Sequence, residues 1–130
     1  MKEGKLKVMV VEDEPLLLEA IGTKLTKEGI DAILCSGGKQ AMDFLLNSED
    51  LPDTVWLDYY LKDMDGLAFM GALKQNPKLQ NIPVVVVSNS ASTDKVSNML
   101  ALGVKKYLLK AEYRLDDIVK IIRQFSVSSP

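Results

Sequence analysis

Apolar and polar positions along the chain follow two periods in turn. Short runs rich in β-branched residues, LKVMVV at 6–11, DAILC at 31–35, TVWL at 54–57, PVVVVS at 83–88 and KYLLK at 106–110, predict five strands. Several are apolar throughout, the pattern of a parallel strand covered on both faces. Between them the apolar positions recur at helical spacing: Leu18, Ile21 and Leu25, then Ala41, Phe44 and Leu45, then Leu67, Met70 and Leu73. Leu115, Ile118, Val119, Ile122 and Phe125 mark a closing helix. Each set predicts one buried helix face, and the alternation as a whole predicts an α/β fold with an open sheet of five βα units.

Punctuation falls at the expected boundaries. Pro15 suits a first helical turn, Gly29 and Gly103 suit positions just past a helix C-terminus, and Ser92 stands before TDKVSNML as an N-cap. Residues 1–125 read as one domain, and SVSSP at 126–130 as a frayed tail or the start of a linker. A length of 130 residues with 47% hydrophobic content suffices for one core.

Composition narrows the function. The 16 basic and 18 acidic residues nearly balance, with no long block of either sign, so neither nucleic acid nor a membrane surface is expected as the main partner. No apolar run approaches the ~18 residues of a membrane span, and MKEGKLK lacks the apolar stretch of a secretory signal. A cytoplasmic location is expected. Cys35 alone excludes an internal disulfide and reads as an inert core thiol. The chain has no histidine, which removes His bases, His metal ligands and any phosphohistidine of its own.

Candidate chemistry follows from the fold class, because the strand C-termini of a parallel α/β sheet share one edge where ligands bind. That edge would carry Glu12, Asp13 and Glu14 after the first strand, Asp58 after the third, Ser88 and Asn89 after the fourth, and Lys110 at the end of the fifth. Carboxylates before Pro15 can simply cap a helix, and Asp58 or Lys110 alone can be a turn residue or a solvated charge. Together they carry more. If the first and third strands are neighbours, Glu12, Asp13 and Asp58 hold like charges within a few ångströms, which calls for a hard divalent cation such as Mg²⁺ beside a phosphoryl group.

At this point VVEDEP, WLDYYLKDMDG, VVVVSNSA and KKYLLKA, in that order over nearly the whole chain, resemble the receiver domains of two-component response regulators. The resemblance implies a flavodoxin-like, doubly wound parallel sheet of order 2-1-3-4-5. It implies that Asp58 accepts a phosphoryl group from a sensor histidine kinase or a histidine phosphotransfer protein, with Mg²⁺ or Mn²⁺ as cofactor. Asp13 and Asp58 would bind the metal with Glu12 assisting and the Tyr60 carbonyl as a further ligand. Ser88 would hydrogen-bond the phosphoryl oxygens, Lys110 would pair with them, and Tyr107, on the opposite side of its strand from Lys110, would be the switch aromatic. Catalysis would be limited to the domain's own phosphorylation and dephosphorylation, and the output face would be the fourth helix, fifth strand and fifth helix.

KDMDG would shape the turn into the third helix, with Asp65 as cap and Gly66 permitting the bend. Lys62 and Ala111 stand where receivers often have proline, so a cis peptide at Lys110–Ala111 is not assumed. Two rivals fit less well. DMDG has the look of a haloacid dehalogenase nucleophile motif but does not directly follow the apolar strand, and a flavin module's phosphate loop should not be acidic. A receiver-like interaction module that is never phosphorylated is the alternative.

Overall fold

The strands form because their apolar runs are buried on both faces. In the computed structural model, which describes residues 5–126, β1 (Lys7–Val11), β3 (Thr54–Leu57) and β4 (Val84–Ser88) lie inside the sheet and are almost wholly buried. The edge strands β2 (Asp31–Cys35) and β5 (Lys106–Leu109) carry the exposed positions. All pairs are parallel and the order is β2-β1-β3-β4-β5, as the resemblance implied.

Helices α1 (Pro15–Lys27), α2 (Gly38–Asn47), α3 (Gly66–Lys74), α4 (Thr93–Ala101) and α5 (Leu115–Ser126) cover the two faces. Parallel crossovers are right-handed, so reversing the direction of travel across the sheet moves the helix to the other face. The step from β1 to β2 runs one way and every later step runs the other. Ile21 and Leu25 of α1 and Ile118, Val119 and Ile122 of α5 accordingly pack with Val8, Val10, Trp56, Val85 and Val87. Residues of α2, α3 and α4 pack on Met9, Val11, Val55, Leu57, Val84 and Val86. The reversal between β1 and β3 opens the crevice where their C-termini part. No described helix is long and apolar enough to cross a membrane.

Caps sit where the sequence placed them. Ser92 accepts from Lys95 N and Asp65 from Ala68 N, and Gly29 and Gly103 have positive φ, the left-handed conformation that ends α1 and α4. Cys35 is buried, its thiol pushed up to about 11 by that burial, which makes it a core residue. Helix α5 extends through Ser126, one residue past the expected boundary, and residues 127–130 of the expected tail lie outside the described residues.

Several expectations change. Phe44 and Leu67 are exposed, because α2 and α3 each bury a narrow stripe, Ala41, Met42 and Leu45 in one and Phe69, Met70 and Leu73 in the other. Each outlier lies roughly 100° round its helix from the centre of that stripe. β1 and β4 each start one residue later than their apolar runs, and Lys110 leaves β5 to open a 3₁₀ turn, Lys110–Glu112. Gly66 serves close packing rather than a special bend: its φ is not positive, and a Cβ there would lie 2.8 Å from the Tyr59 ring and 2.9 Å from the Met99 methyl.

The acid Asp63 has a specific structural task. The N-cap of α2 is Gly37, which offers no side chain, and Asp63 reaches across to accept from Gly38 N at 3.0 Å and Lys39 N at 2.9 Å. The bonds from Lys39 and then Gly38 hold its carboxyl below the ordinary aspartate value. Asp63→Ala is expected to cost about 0.5–2 kcal/mol, toward the low end because the side chain is exposed. A depressed folded value means that this contribution is present above the unfolded value and fades as pH falls through the folded one. Urea unfolding of variant and wild type should therefore differ at pH 7 and converge in acid, and equal midpoints at pH 7 would remove the cap from the account.

Candidate functional site

The site is built by three strand ends and one turn. β1 runs directly into Glu12 and Asp13, and Glu12 N still donates to Cys35 O of β2 at 3.0 Å. β3 runs into Asp58, whose N donates to Val11 O of β1 at 3.0 Å, so the two acidic segments are held by the same ladder. Glu12 and Asp58 are only 2% and 6% exposed, and Asp13 is half-buried. Glu12, Asp13 and Asp58 each present an oxygen within 4.8 Å of the others.

Lys110 enters from the far side of β4. Its Nζ lies 3.1 Å from Glu12 Oε1 and 3.5 Å from Asp58 Oδ2. One ammonium does not balance three carboxylates. The Asp58 carboxyl stands at about 7, raised first by burial and then by the charge of Glu12, with Asp13 adding to it and Lys110 opposing. A hard divalent cation fits this donor set, since it needs oxygen ligands and brings the charge the cluster lacks. Glu12, Asp13 and Asp58 can hold one.

Glu14 is not part of the cluster. It is the N-cap of α1, accepting from Leu17 N at 2.8 Å, while Glu12 Oε2 accepts from Glu14 N at 3.0 Å. Glu14 does the capping, while Glu12 and Asp13 belong to the acid cluster and Glu12 also accepts from the N–H of the cap residue. Asp13 Oδ2 accepts from Lys62 N at 2.6 Å, which ties the loop after β3 to the end of β1. The peptide at Lys110–Ala111 is trans, as is every other peptide among the described residues.

A cavity of about 380 Å³ opens over these groups, walled by Asp13, Asp58, Tyr60, Asn89 and Lys110 among others. A larger cavity, about 580 Å³, lies between α1 and β2 beside Leu18, Gly22 and Leu34. It touches the cluster only at Asp13, whereas the smaller one also reaches Glu12, Asp58 and Lys110, so the smaller one is the chemical site.

Ser88 and Tyr107 sit behind the crevice. Ser88 is fully buried, so its hydroxyl does not turn to solvent, and its Oγ accepts from Ser90 N at 3.4 Å. Tyr107 points to the opposite side of β5 from Lys110 and packs against the core that includes Met99 of α4. Its hydroxyl donates to Ser90 O at 2.8 Å. Burial pushes the phenol up, hydrogen bonding with Ser88 opposes this, and the charge of Asp58 adds to it. Every residue assigned from the sequence thus lies at or directly behind one crevice.

Two residues near it were not singled out from the sequence, Tyr59 and Lys95. Tyr59 is buried, packs edge-on against Tyr60 at 4.8 Å, and tilts toward Tyr107 at 6.2 Å. Lys95 of α4 stands over both tyrosine rings. The tyrosine pair in WLDYYLK was the available signal, but the lysine that meets it is in another element.

Comparison with known proteins agrees with this geometry. The response regulator receiver domain family matches residues 8–123. The two-component response regulator ORR8 of Oryza sativa subsp. indica is 28% identical over 116 residues, covering 89% of this chain and 94% of that protein. The signal transduction histidine-protein kinase BarA of Escherichia coli K12 is 31% identical over 115 residues, which is 86% of this chain and 12% of the kinase. Among solved structures, the phosphorylated cyanobacterial phytochrome response regulator RcpA superposes with a TM-score of 0.80 at 26% identity, covering 97% of this chain and 96% of that one. A match that begins in β1 and ends in α5, over a sheet whose order and crevice are those the motifs implied, settles the assignment: the chain belongs to the response regulator receiver domain family.

Proposed function

We propose that Asp58 accepts a phosphoryl group from the phosphohistidine of a sensor histidine kinase or a histidine phosphotransfer protein in the cytoplasm, and that its phosphorylation switches the face formed by α4, β5 and α5. The observation that carries this is the placement of Asp58: buried at the end of β3, 3.5 Å from a lysine ammonium, and crowded by two further acids. The sequence has no histidine, so the phosphoryl donor lies outside these 130 residues.

Asp13, Asp58 and Glu12, with the Tyr60 carbonyl, would hold Mg²⁺ or Mn²⁺. When bound, such an ion supplies the charge that keeps Asp58 ionised and neutralises the phosphoryl oxygens. An Asp58 carboxylate oxygen attacks phosphorus in line, the O–P bond forms, the donor's N–P bond breaks, and the imidazole nitrogen leaves with the bonding pair. The transition state is loose, so the protein's contribution is position and charge, and no base is needed. Lys110 neutralises one phosphoryl oxygen and the Ser88 hydroxyl donates to another. A Ser88 hydroxyl drawn toward the phosphoryl group gives up its contact with Tyr107, and the loop anchored at Ser90 is freed to rearrange with α4.

The test is intact-mass measurement after incubation with a small acyl phosphate, with and without Mg²⁺. One phosphoryl group added only in the presence of Mg²⁺ is expected. No addition at millimolar Mg²⁺ would reject the reading and leave an interaction module that is not phosphorylated.

A further inference from the structure

Tyr60 poses a problem of support. Tyr60 lines the crevice two residues after Asp58 yet is 49% exposed, and it sits on a loop rather than on a helix or strand. An aromatic ring so placed stays over the crevice only if something holds it there.

Two contacts do. Tyr60 lies edge-on against Tyr59 at 4.8 Å with an interplanar angle of 69°. Tyr59 is itself fixed, buried against Gly66, where no Cβ would fit. From the outer side, Lys95 Nζ stands 4.4 Å from the centre of the Tyr60 ring and 5.1 Å from that of Tyr59, within cation–π range of both.

The position of Lys95 gives the contact its meaning. It lies in the first turn of α4, where its N donates to the Ser92 cap. Two residues before that cap is Ser90, whose carbonyl accepts from Tyr107 and whose N donates to Ser88. The loop that answers to Ser88 and Tyr107 therefore runs directly into the helical turn that grips the Tyr60 ring.

We propose that Lys95 is a positioning residue that holds the Tyr60 ring over the crevice, so that the place of α4 sets the access of water to phosphorylated Asp58. The proposal rests on Asp58 being the phosphoacceptor. In the step concerned, a water oxygen attacks phosphorus, the Asp58 O–P bond breaks, the carboxylate is restored, and the water proton leaves with the phosphate. An exposed cation–π contact favours the held ring by a factor of about 2–5, and water access should rise by the same factor when the contact is lost.

The experiment compares the loss of the phosphoryl group from wild type, Lys95→Met, Lys95→Arg, Tyr60→Ala and the Lys95→Met/Tyr60→Ala double variant, each loaded with a small acyl phosphate and Mg²⁺. Methionine keeps most of the stem without the charge, and arginine keeps the cation. Lys95→Met should lose the group about 2–5 times faster than wild type, Lys95→Arg should restore the wild-type lifetime, and Lys95→Met should add nothing in the Tyr60→Ala background. Equal lifetimes for Lys95→Met and wild type would overturn the proposal. So would the same acceleration in both backgrounds, which would make Lys95 a general charge effect. The Lys95 Cε protons, read by NMR in the unphosphorylated protein, should carry an upfield ring-current shift that Tyr60→Ala removes; its absence in wild type overturns the clamp. A wild type that takes up no phosphoryl group but shows this shift sinks the phosphoacceptor reading and the water-access role with it, while the contact itself stands.

Discussion

Asp58→Asn is expected to abolish phosphoryl incorporation and, without any divalent cation, to raise the stability of the protein at neutral pH. The first effect follows from replacing an ionisable nucleophile by a neutral amide of nearly the same shape. The second follows from the acid cluster. Burial first, then Glu12 and Asp13, lift the Asp58 carboxyl from 3.8 to about 7 against the pull of Lys110. A folded value above the unfolded one means that the folded state binds more protons between the two, so stability falls as pH rises through that window and the loss is complete above it. At about 1.4 kcal/mol per pH unit the full interval is worth ~4 kcal/mol, and water in the open crevice lowers this to about 1–3 kcal/mol. Thermal melts in a chelator should place the Asn variant several degrees above wild type at pH 8 and level with it near pH 4. Phosphoryl uptake by the Asn variant equal to that of wild type would move the acceptor elsewhere. A variant that melts no higher than wild type at pH 8 would mean that the three acids do not repel as their placement implies.

Much of this site was legible because the acids follow strands that carry their own signal. VVVVS and TVWL have no polar interruption, so the positions of Asp58 and Ser88 at the sheet edge followed from where the apolar runs stop. Strand order was not readable from periodicity, which says nothing of which strands are neighbours; it came through the resemblance. The helix faces were read less well. A helix of nine or ten residues buries only four or so, and a further apolar residue such as Phe44 or Leu67 fits the periodicity yet falls outside the stripe. Contacts between distant segments left little trace. Asp63 caps a helix 25 residues earlier, and its target shows only as a glycine where a capping side chain would stand. The Lys95 grip on Tyr60 showed only at its tyrosine end, because a lysine on a helix reads as a solvated charge until the fold brings the ring beneath it.

Lys110→Met should act in the opposite sense to Asp58→Asn. Lys110 pairs with Glu12 at 3.1 Å and Asp58 at 3.5 Å, while its stem lines the apolar space beside Trp56 and Val87. Methionine keeps much of that packing, so the loss is mainly one of charge. Removing one partner of a buried pair costs about 3–5 kcal/mol, and the open crevice reduces this to about 2–4 kcal/mol. The Asp58 carboxyl, already high, loses the one influence that lowers it. Its folded value rises further, and the cost of ionising it in the folded state grows as pH climbs from the unfolded value. The destabilisation should therefore be greatest at pH 8 and shrink toward pH 4.5 as Asp58 takes up its proton. Urea unfolding at the two pH values in a chelator measures this. In the Asp58→Asn background the same substitution should cost less, because Lys110 then faces one buried acid fewer. A penalty equal at both pH values and in both backgrounds would show that Lys110 matters for the packing of its stem, and the charge balance inferred for the crevice would be wrong.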